Sequence, residues 1–402
     1  MNKKKNKITY GKNVYDKNEI NAVLRTLNKS TQMGDDVINF ENKISKLLNK
    51  KYSLMVNSGS SALLLAMTSL NLPKGSNVIT PALTFGTTIA SIVQSGFIPN
   101  LIDVNISTLC IDENKIEKSI NKKTKAMLIP NLIGLLPDWP KLKKIAKKYN
   151  LILIEDSADT LDSKYNDKPT SSYSDITITS FYGSHIISCA GNGGIVCFNN
   201  KNYFEKAKLL RSWGRSSSLF KESEKIENRF DIKLSGIRYD KKFIFQELGY
   251  NFEPSEIGAS FGLVQLKKLN KNITKRKKLR KHHDKFFERY KDIFILPKND
   301  DYQDSALLAY PIILKNSLID RTDLQIFLEK NNIQTRVIFT GNILRQPCSK
   351  NVKFIKETSY KNADKVMRDG MLIGCHQGLS IDDLNYIHKT IEKFFKIKKI
   401  KY

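Results

Sequence analysis

Apolar positions along the chain alternate between two periods. Ile20, Val23, Leu24 and Leu27 recur at helical spacing, as do Val37, Phe40, Ile44, Leu47 and Leu48. Residues 53–56 then read as a strand, 57–60 as a turn and 61–67 as a helix. Val78-Ile79 leads into Thr80-Pro81-Ala82, and residues 126–130 form a short strand of the buried type. Asp138 is placed to cap a helix with the apolar face Trp139, Leu142, Ile145, Ala146 and Tyr149, and residues 151–154 make the next strand. Strands alternating with helices predict an α/β fold with a mostly parallel sheet.

Beyond residues 265–269 the pattern changes. A basic stretch, 275–290, reads as a linking helix; 306–314 and 335–339 read as strands, and 322–331 as a helix. Ser380 and Asp383 form a capping-box-like start for a helix with the face Leu384, Ile387, Ile391, Phe394 and Phe395. The expected division is a large domain with an N-terminal arm, 1–270, and a small α+β domain, 271–402.

Composition changes this picture little. The 402 residues are 40% hydrophobic and 27% charged, ordinary for a globular protein. The formal net charge of +27 raises a nucleic-acid reading. The lysines are scattered among Asn and Ile, which fits codon bias better than a binding groove, though a basic surface would still attract an anionic substrate. The basic N-terminus has no apolar run after it, and no apolar run would span a bilayer, so the expected location is the cytoplasm, with no membrane and no nucleic-acid partner. The five cysteines, at 110, 189, 197, 348 and 375, form no C-x-x-C pair and read as free thiols, so no iron–sulfur cluster is expected. No paired His/Asp/Glu spacing suggests a metal. His282, His283 and His388 lie in helix-like stretches and are expected to be solvated.

Candidate chemistry lies at strand ends. Ser58-Gly59-Ser60-Ser61 joins a strand to a helix, where N–H groups and the helix dipole favour a phosphate, although a plain N-cap is the commoner role of such a turn. Asp156 ends a buried strand, where ligands of open α/β sheets gather; a helix cap is the alternative. Phe85 follows another strand end and could stack on a flat ligand, or simply fill core. The stretch SFYGSHIISCAGNGGIVCF, 180–198, ends a strand, turns, bends through glycines and starts another strand; it holds His185, and no lysine occurs between Lys168 and Lys201.

Together SGSSA at Ser58, TPALTF to Phe85, IEDSAD from Ile154, SFYGSH from Ser180, GNGG at Gly191 and LGYN at Leu248 resemble the DegT/StrS-type sugar aminotransferases over roughly residues 10–395. That resemblance implies the pyridoxal-phosphate (PLP) aspartate aminotransferase fold, with a PLP-binding large domain. In most of the family a lysine at the position of His185 bonds to the cofactor. One branch, the sugar 3-dehydrases, carries histidine there, and this chain is most similar to the members acting on GDP-4-keto-6-deoxymannose. The branch's SFY-x-x-H, GYN-x-x-P and TGN-x-L segments are matched at 180–185, 249–254 and 340–344; its NHQ segment is matched at 375–377 with Cys375 for Asn.

The resemblance implies a role for each site residue. Gly59 and Ser60 would hold the phosphate through N–H groups and Ser180 through its hydroxyl. Phe85 would stack on the ring, Asp156 would bind the pyridinium, and Asp159 would sit by the ring substituents. Asn251 would reach the phosphate in a neighbouring subunit, making the unit a homodimer with shared active sites. Arg336 and His376 are candidates for substrate contact. Imidazole cannot replace lysine as the covalent anchor but still moves protons near neutral pH. The implied function is a dehydratase that uses non-covalently held PLP and pyridoxamine phosphate (PMP), with glutamate as amino donor, to remove the C3 hydroxyl of a nucleotide-linked 4-keto-6-deoxyhexose in deoxysugar biosynthesis. The alternatives are a sugar aminotransferase that recruits a lysine from elsewhere and a non-catalytic regulatory protein of the same fold. A cluster-bearing sister branch does not match the cysteines.

Overall fold

The computed structural model describes residues 7–220, 225–298 and 300–400; the lysine-rich tip, 1–6, lies outside them. A seven-stranded sheet runs in the order Tyr52–Val56, Gly194–Phe198, Ile176–Ser180, Ile152–Asp156, Thr124–Pro130, Asn77–Pro81, Ile98–Ile102. Gly194–Phe198 is antiparallel to both neighbours, and all other pairings are parallel. The carboxyl ends at Val56, Pro81, Pro130, Asp156 and Ser180 therefore share one edge, where Gly194 also begins its strand. In such sheets that edge is where ligands sit.

Burial on both faces explains the near-continuous apolar strands. Leu128, Ile154, Ile178 and Val196 pack with Leu63 and Leu65 of the helix Gly59–Thr68 on one face. Met127, Ile129 and Leu153 pack on the other with Trp139, Leu142 and Ile145 of the helix Trp139–Tyr149. Asp138 caps that helix through the backbone N–H of Lys141, as its position predicts.

A second, antiparallel sheet, in the order Phe294–Ile295, Tyr310–Leu314, Gly370–Ile373, Arg336–Val337, lies beyond the expected boundary near 270. Its cover is the helix Ile381–Ile397, which buries Leu384, Ile387, Ile391, Phe394 and Phe395 and starts with the expected Ser380/Asp383 capping box. The cores of the two parts are continuous: one apolar cluster runs from Leu83, Leu101 and Leu132 to Leu308, Ile338 and Phe395.

Three expectations need correction. The apolar stripe of the helix Lys17–Leu27 faces outward: Ile20, Leu24 and Leu27 are exposed, and Glu19, Ala22 and Thr26 are buried. The helix packs on Glu256–Lys267 through its small residues, and Glu19 is held by Gln265 and Lys268. The strand expected over 306–314 is regular only over Tyr310–Leu314. His283 and His388 are buried rather than solvated, joined at 2.9 Å, with His283 also 3.0 Å from the Gly374 carbonyl oxygen.

Candidate active site

Residues from several carboxyl-end loops enclose a cleft of about 240 Å³ at the shared sheet edge. Its lining includes Gly59, Ser60, Phe85, Asp156, Asp159, Ser180 and His185, so the structure brings these predicted residues together.

The phosphate-type turn depends on close backbone approach. Ser58 caps the helix Gly59–Thr68 by accepting the Ser61 N–H at 3.1 Å. The N–H groups of the first helical turn have no acceptor within the helix and point outward from its start. A Cβ on Gly59 would lie 2.7 Å from the Cβ of Ser180, and one on Gly194 would lie 2.3 Å from the Ser58 carbonyl oxygen. Two glycines thus let turn and strand close up and place Ser180 against the helix start.

Asp156 is buried and surrounded by neutral donors: Thr88 Oγ1 donates to it at 3.2 Å and the Ala158 N–H at 3.1 Å. Burial pushes its pKa up to about 6. A cation placed against it would offset that desolvation, which suits a protonated ring nitrogen. Asp159 accepts the Ile133 N–H at 2.8 Å, and burial raises its pKa to about 7. The donating residue, Ile133, is itself in a left-handed conformation at φ 61, a strained geometry for a β-branched side chain. Thr84 Oγ1, in the cleft wall, is buried with no hydrogen-bond partner among the described residues. Together the phosphate turn, the uncompensated Asp156 and the exposed face of Phe85 fit a phosphorylated, cationic aromatic ring.

His185 has a defined tautomer. Its Nδ1 lies 3.1 Å from the Ser180 carbonyl oxygen, which only accepts, so Nδ1 carries the proton and Nε2 keeps the lone pair. Burial and the neighbouring Arg276 guanidinium lower the imidazolium pKa to about 4, leaving a neutral base at pH 7. Among the described residues that line the cleft, none is a lysine.

The remaining predicted residues lie outside this lining. Asn251 is exposed, with its carbonyl facing Asn57. Arg336 lies one layer out, its guanidinium 5.1 Å from the ring centre of Tyr10. His376 is buried and uses both ring nitrogens, at 3.0 Å from the Thr9 carbonyl oxygen and accepting the Gly378 N–H at 3.2 Å; it braces the N-terminal arm. That arm pairs with the small domain at Ile8 and Ile333 and delivers Tyr10 to the cleft. Sequence reasoning missed Tyr10, Leu308 and Phe339 as lining residues, because long-range folding brings them in. Thr84 had a signal: it immediately precedes Phe85 at a strand end.

This strand-edge cleft in a mostly parallel sheet, with an antiparallel small domain beside it, is the PLP aminotransferase-like fold. The chain belongs to the DegT/DnrJ/EryC1/StrS aminotransferase family, whose sequence profile matches residues 13–392. It is 33% identical to the lipopolysaccharide biosynthesis protein RfbH of Salmonella typhimurium, over 89% of this chain and 84% of that protein. It is 29% identical to a UDP-4-amino-4,6-dideoxy-N-acetyl-beta-L-altrosamine transaminase of Campylobacter jejuni, over 98% of each chain. E. coli GDP-4-keto-6-deoxy-D-mannose 3-dehydratase, solved with bound hydrated PLP, superposes with a TM-score of 0.85 at 27% identity, covering 95% of this chain and 98% of that one. A GDP-4-keto-6-deoxymannose-3-dehydratase solved with a trapped PLP–glutamate geminal diamine superposes with a TM-score of 0.85 at 26% identity, covering 95% of this chain and 99% of that one.

Proposed function

We propose that this chain is a PLP/PMP-dependent 3-dehydratase acting on a nucleotide-linked 4-keto-6-deoxyhexose in surface-polysaccharide deoxysugar synthesis. The observation that carries the reading is His185: a neutral base with a free Nε2 at the cleft, where most of the family has an amine. Bound cofactor supplies an amine for the C4 ketone and an electron sink, and Asp156 keeps the ring nitrogen protonated. The Gly59 and Ser60 N–H groups and the Ser180 hydroxyl hold the phosphate, and Phe85 covers the ring. With cofactor and sugar bound, His185 Nε2 would be the group that accepts the proton whose loss accompanies departure of the C3 hydroxyl. With no lysine among the described residues that line the cleft to return that proton, elimination is favoured over amination. The net change balances: keto sugar and glutamate give 3-deoxy keto sugar, 2-oxoglutarate and ammonia.

The working unit is a homodimer in the cytoplasm. Supporting the dimer, Ile20, Leu24, Leu27 and Ile38 leave an apolar surface uncovered, Leu248 is 97% exposed, and the exposed Asn251 is not part of its own cleft lining. No helix among the described residues is long and apolar enough to cross a membrane.

A second reading, amino transfer, is favoured by the similarity to transaminases at comparable identity. Incubation with glutamate, cofactor and a panel of nucleotide 4-keto-6-deoxyhexoses, read by mass spectrometry, separates the two. Dehydration gives a sugar lighter by one oxygen. Exchange of the keto oxygen for an amine would support transfer and overturn the proposal.

A further inference from the structure

Arg276, on the helix Leu269–Phe287, is fully buried, yet among the described residues it makes no ion pair. Its guanidinium donates to four neutral oxygens: Gln377 Oε1 at 2.6 Å, the Leu307 and Leu308 carbonyls each at 2.9 Å, and the His185 carbonyl at 3.3 Å. The next carbonyl, of Ile186, accepts from Asn272 Nδ2 at 3.3 Å and Gln377 Nε2 at 3.4 Å. Both peptide oxygens that follow the imidazole are thus gripped from beneath by buried side chains. Leu308 lines the cleft, and its own N–H donates to the Ile133 carbonyl at 2.8 Å. Ile133 in turn donates to Asp159. One guanidinium therefore joins the base loop to the wall that carries Asp159. A buried cation without a counter-charge is costly for stability alone.

We propose that Arg276 is the positioning residue of the base loop: with Gln377 and Asn272 it fixes the His185–Ile186 backbone so that Nδ1 stays on the Ser180 carbonyl and Nε2 stays on the cleft. This rests on the reading of His185 as the base. The positive charge has a second effect, disfavouring a proton on the imidazole. The other charged or titratable groups around the ring are Asp156 and Asp159 across the cleft, Tyr182 on the same loop and Tyr10 on the arm. Beside Arg276, burial holds Cys375 and His376 uncharged, the thiol up to about 12 and the imidazole down to about 4.

Nitrogen NMR of the full-length protein tests this without relying on turnover. The His185 resonances are assigned by their loss in His185→Asn. The spectra are then compared for wild type, Arg276→Gln and Gln377→Met, each checked for a cooperative melt. In Arg276→Gln the midpoint should rise a little, because a neighbouring cation is gone, yet stay below the ordinary histidine value of about 6.5, because burial, the larger cause, remains. In both variants the single Nδ1–H tautomer should become a mixture. Should Arg276→Gln fail to fold, Gln377→Met alone decides through the tautomer. An unchanged midpoint and tautomer in a folded variant overturns the positioning role, whatever happens to the rate. Wild-type dehydration by His185→Asn would instead overturn the proposed function and leave the NMR result standing.

Discussion

Replacing Gly194 with alanine tests how the phosphate turn is built. The new methyl would sit 2.3 Å from the Ser58 carbonyl oxygen, 2.4 Å from its carbon and 2.6 Å from the Gly59 nitrogen, all backbone atoms. The strand cannot withdraw easily, because Gly194 is paired to Val56 on one side and Ser180 on the other. The turn must give way, and Gly59 is already pressed against Ser180. Overpacking of this kind costs about 1–3 kcal/mol of stability. Displacing one N–H from a phosphate removes a hydrogen bond to a charged group, about 1.5–3 kcal/mol, so cofactor affinity should fall roughly tenfold to a hundredfold. Gly183→Ala is the control, since its methyl would meet only the Gly191 backbone at 3.8 Å, an ordinary contact. Equilibrium titration with cofactor, beside thermal melts, reads both effects. Wild-type affinity and melting temperature in Gly194→Ala would refute the close-approach argument.

Four further outcomes are expected. Asp156→Asn should lower turnover far more than cofactor affinity, measured by steady-state rates and titration; unchanged turnover would remove Asp156 from its role. Because burial and Arg276 depress the His185 imidazolium pKa to about 4, the ring should stay neutral as pH falls through 6.5, read by nitrogen NMR of its own resonances rather than by turnover, which Asp156 and Asp159 also modulate near pH 6–7; a His185 midpoint near 6.5 would contradict this. Mixing inactive Asn251→Ala and His185→Asn chains should restore some activity through hybrid dimers; no recovery despite demonstrated subunit exchange would count against shared sites. His283 and His388 are buried with lowered pKa values, so below about pH 6.5 the unfolded chain binds protons that the folded one refuses. Their stabilisation is complete above that pH and is lost as pH falls toward the folded values; chemical denaturation of wild type against a His283→Gln/His388→Leu variant should show the stability gap narrowing.

Local signals in the chain located most of the cleft. Strand ends and a capped turn are short-range features, and they placed Ser58, Phe85 and Asp156 before any tertiary information, while the resemblance of the 180–198 loop to the family singled out Ser180 and His185. Long-range packing decided what they could not. The stripe Ile20, Leu24 and Leu27 has the spacing of a core face, but periodicity does not say whether the same chain covers it, and here it does not. Arg276 and His283 looked like two more polar residues in a basic helix. They nevertheless share the helical register of Leu269, Ile273, Leu279 and Phe286, all buried, so that register was the available signal for both. Tyr10 and Phe339 reach the cleft through contacts between distant parts of the chain.

The central claim is that His185 moves the proton that an amine moves elsewhere in the family, and His185→Asn measures it most directly. Asparagine keeps a polar side chain in the loop but offers no base, while the phosphate turn, Ser180 and Asp156 remain to bind cofactor. With cofactor saturation verified by titration, the variant should lose both the half-reaction with glutamate and release of the 3-deoxy sugar. Dehydration at the wild-type rate by His185→Asn would contradict the account.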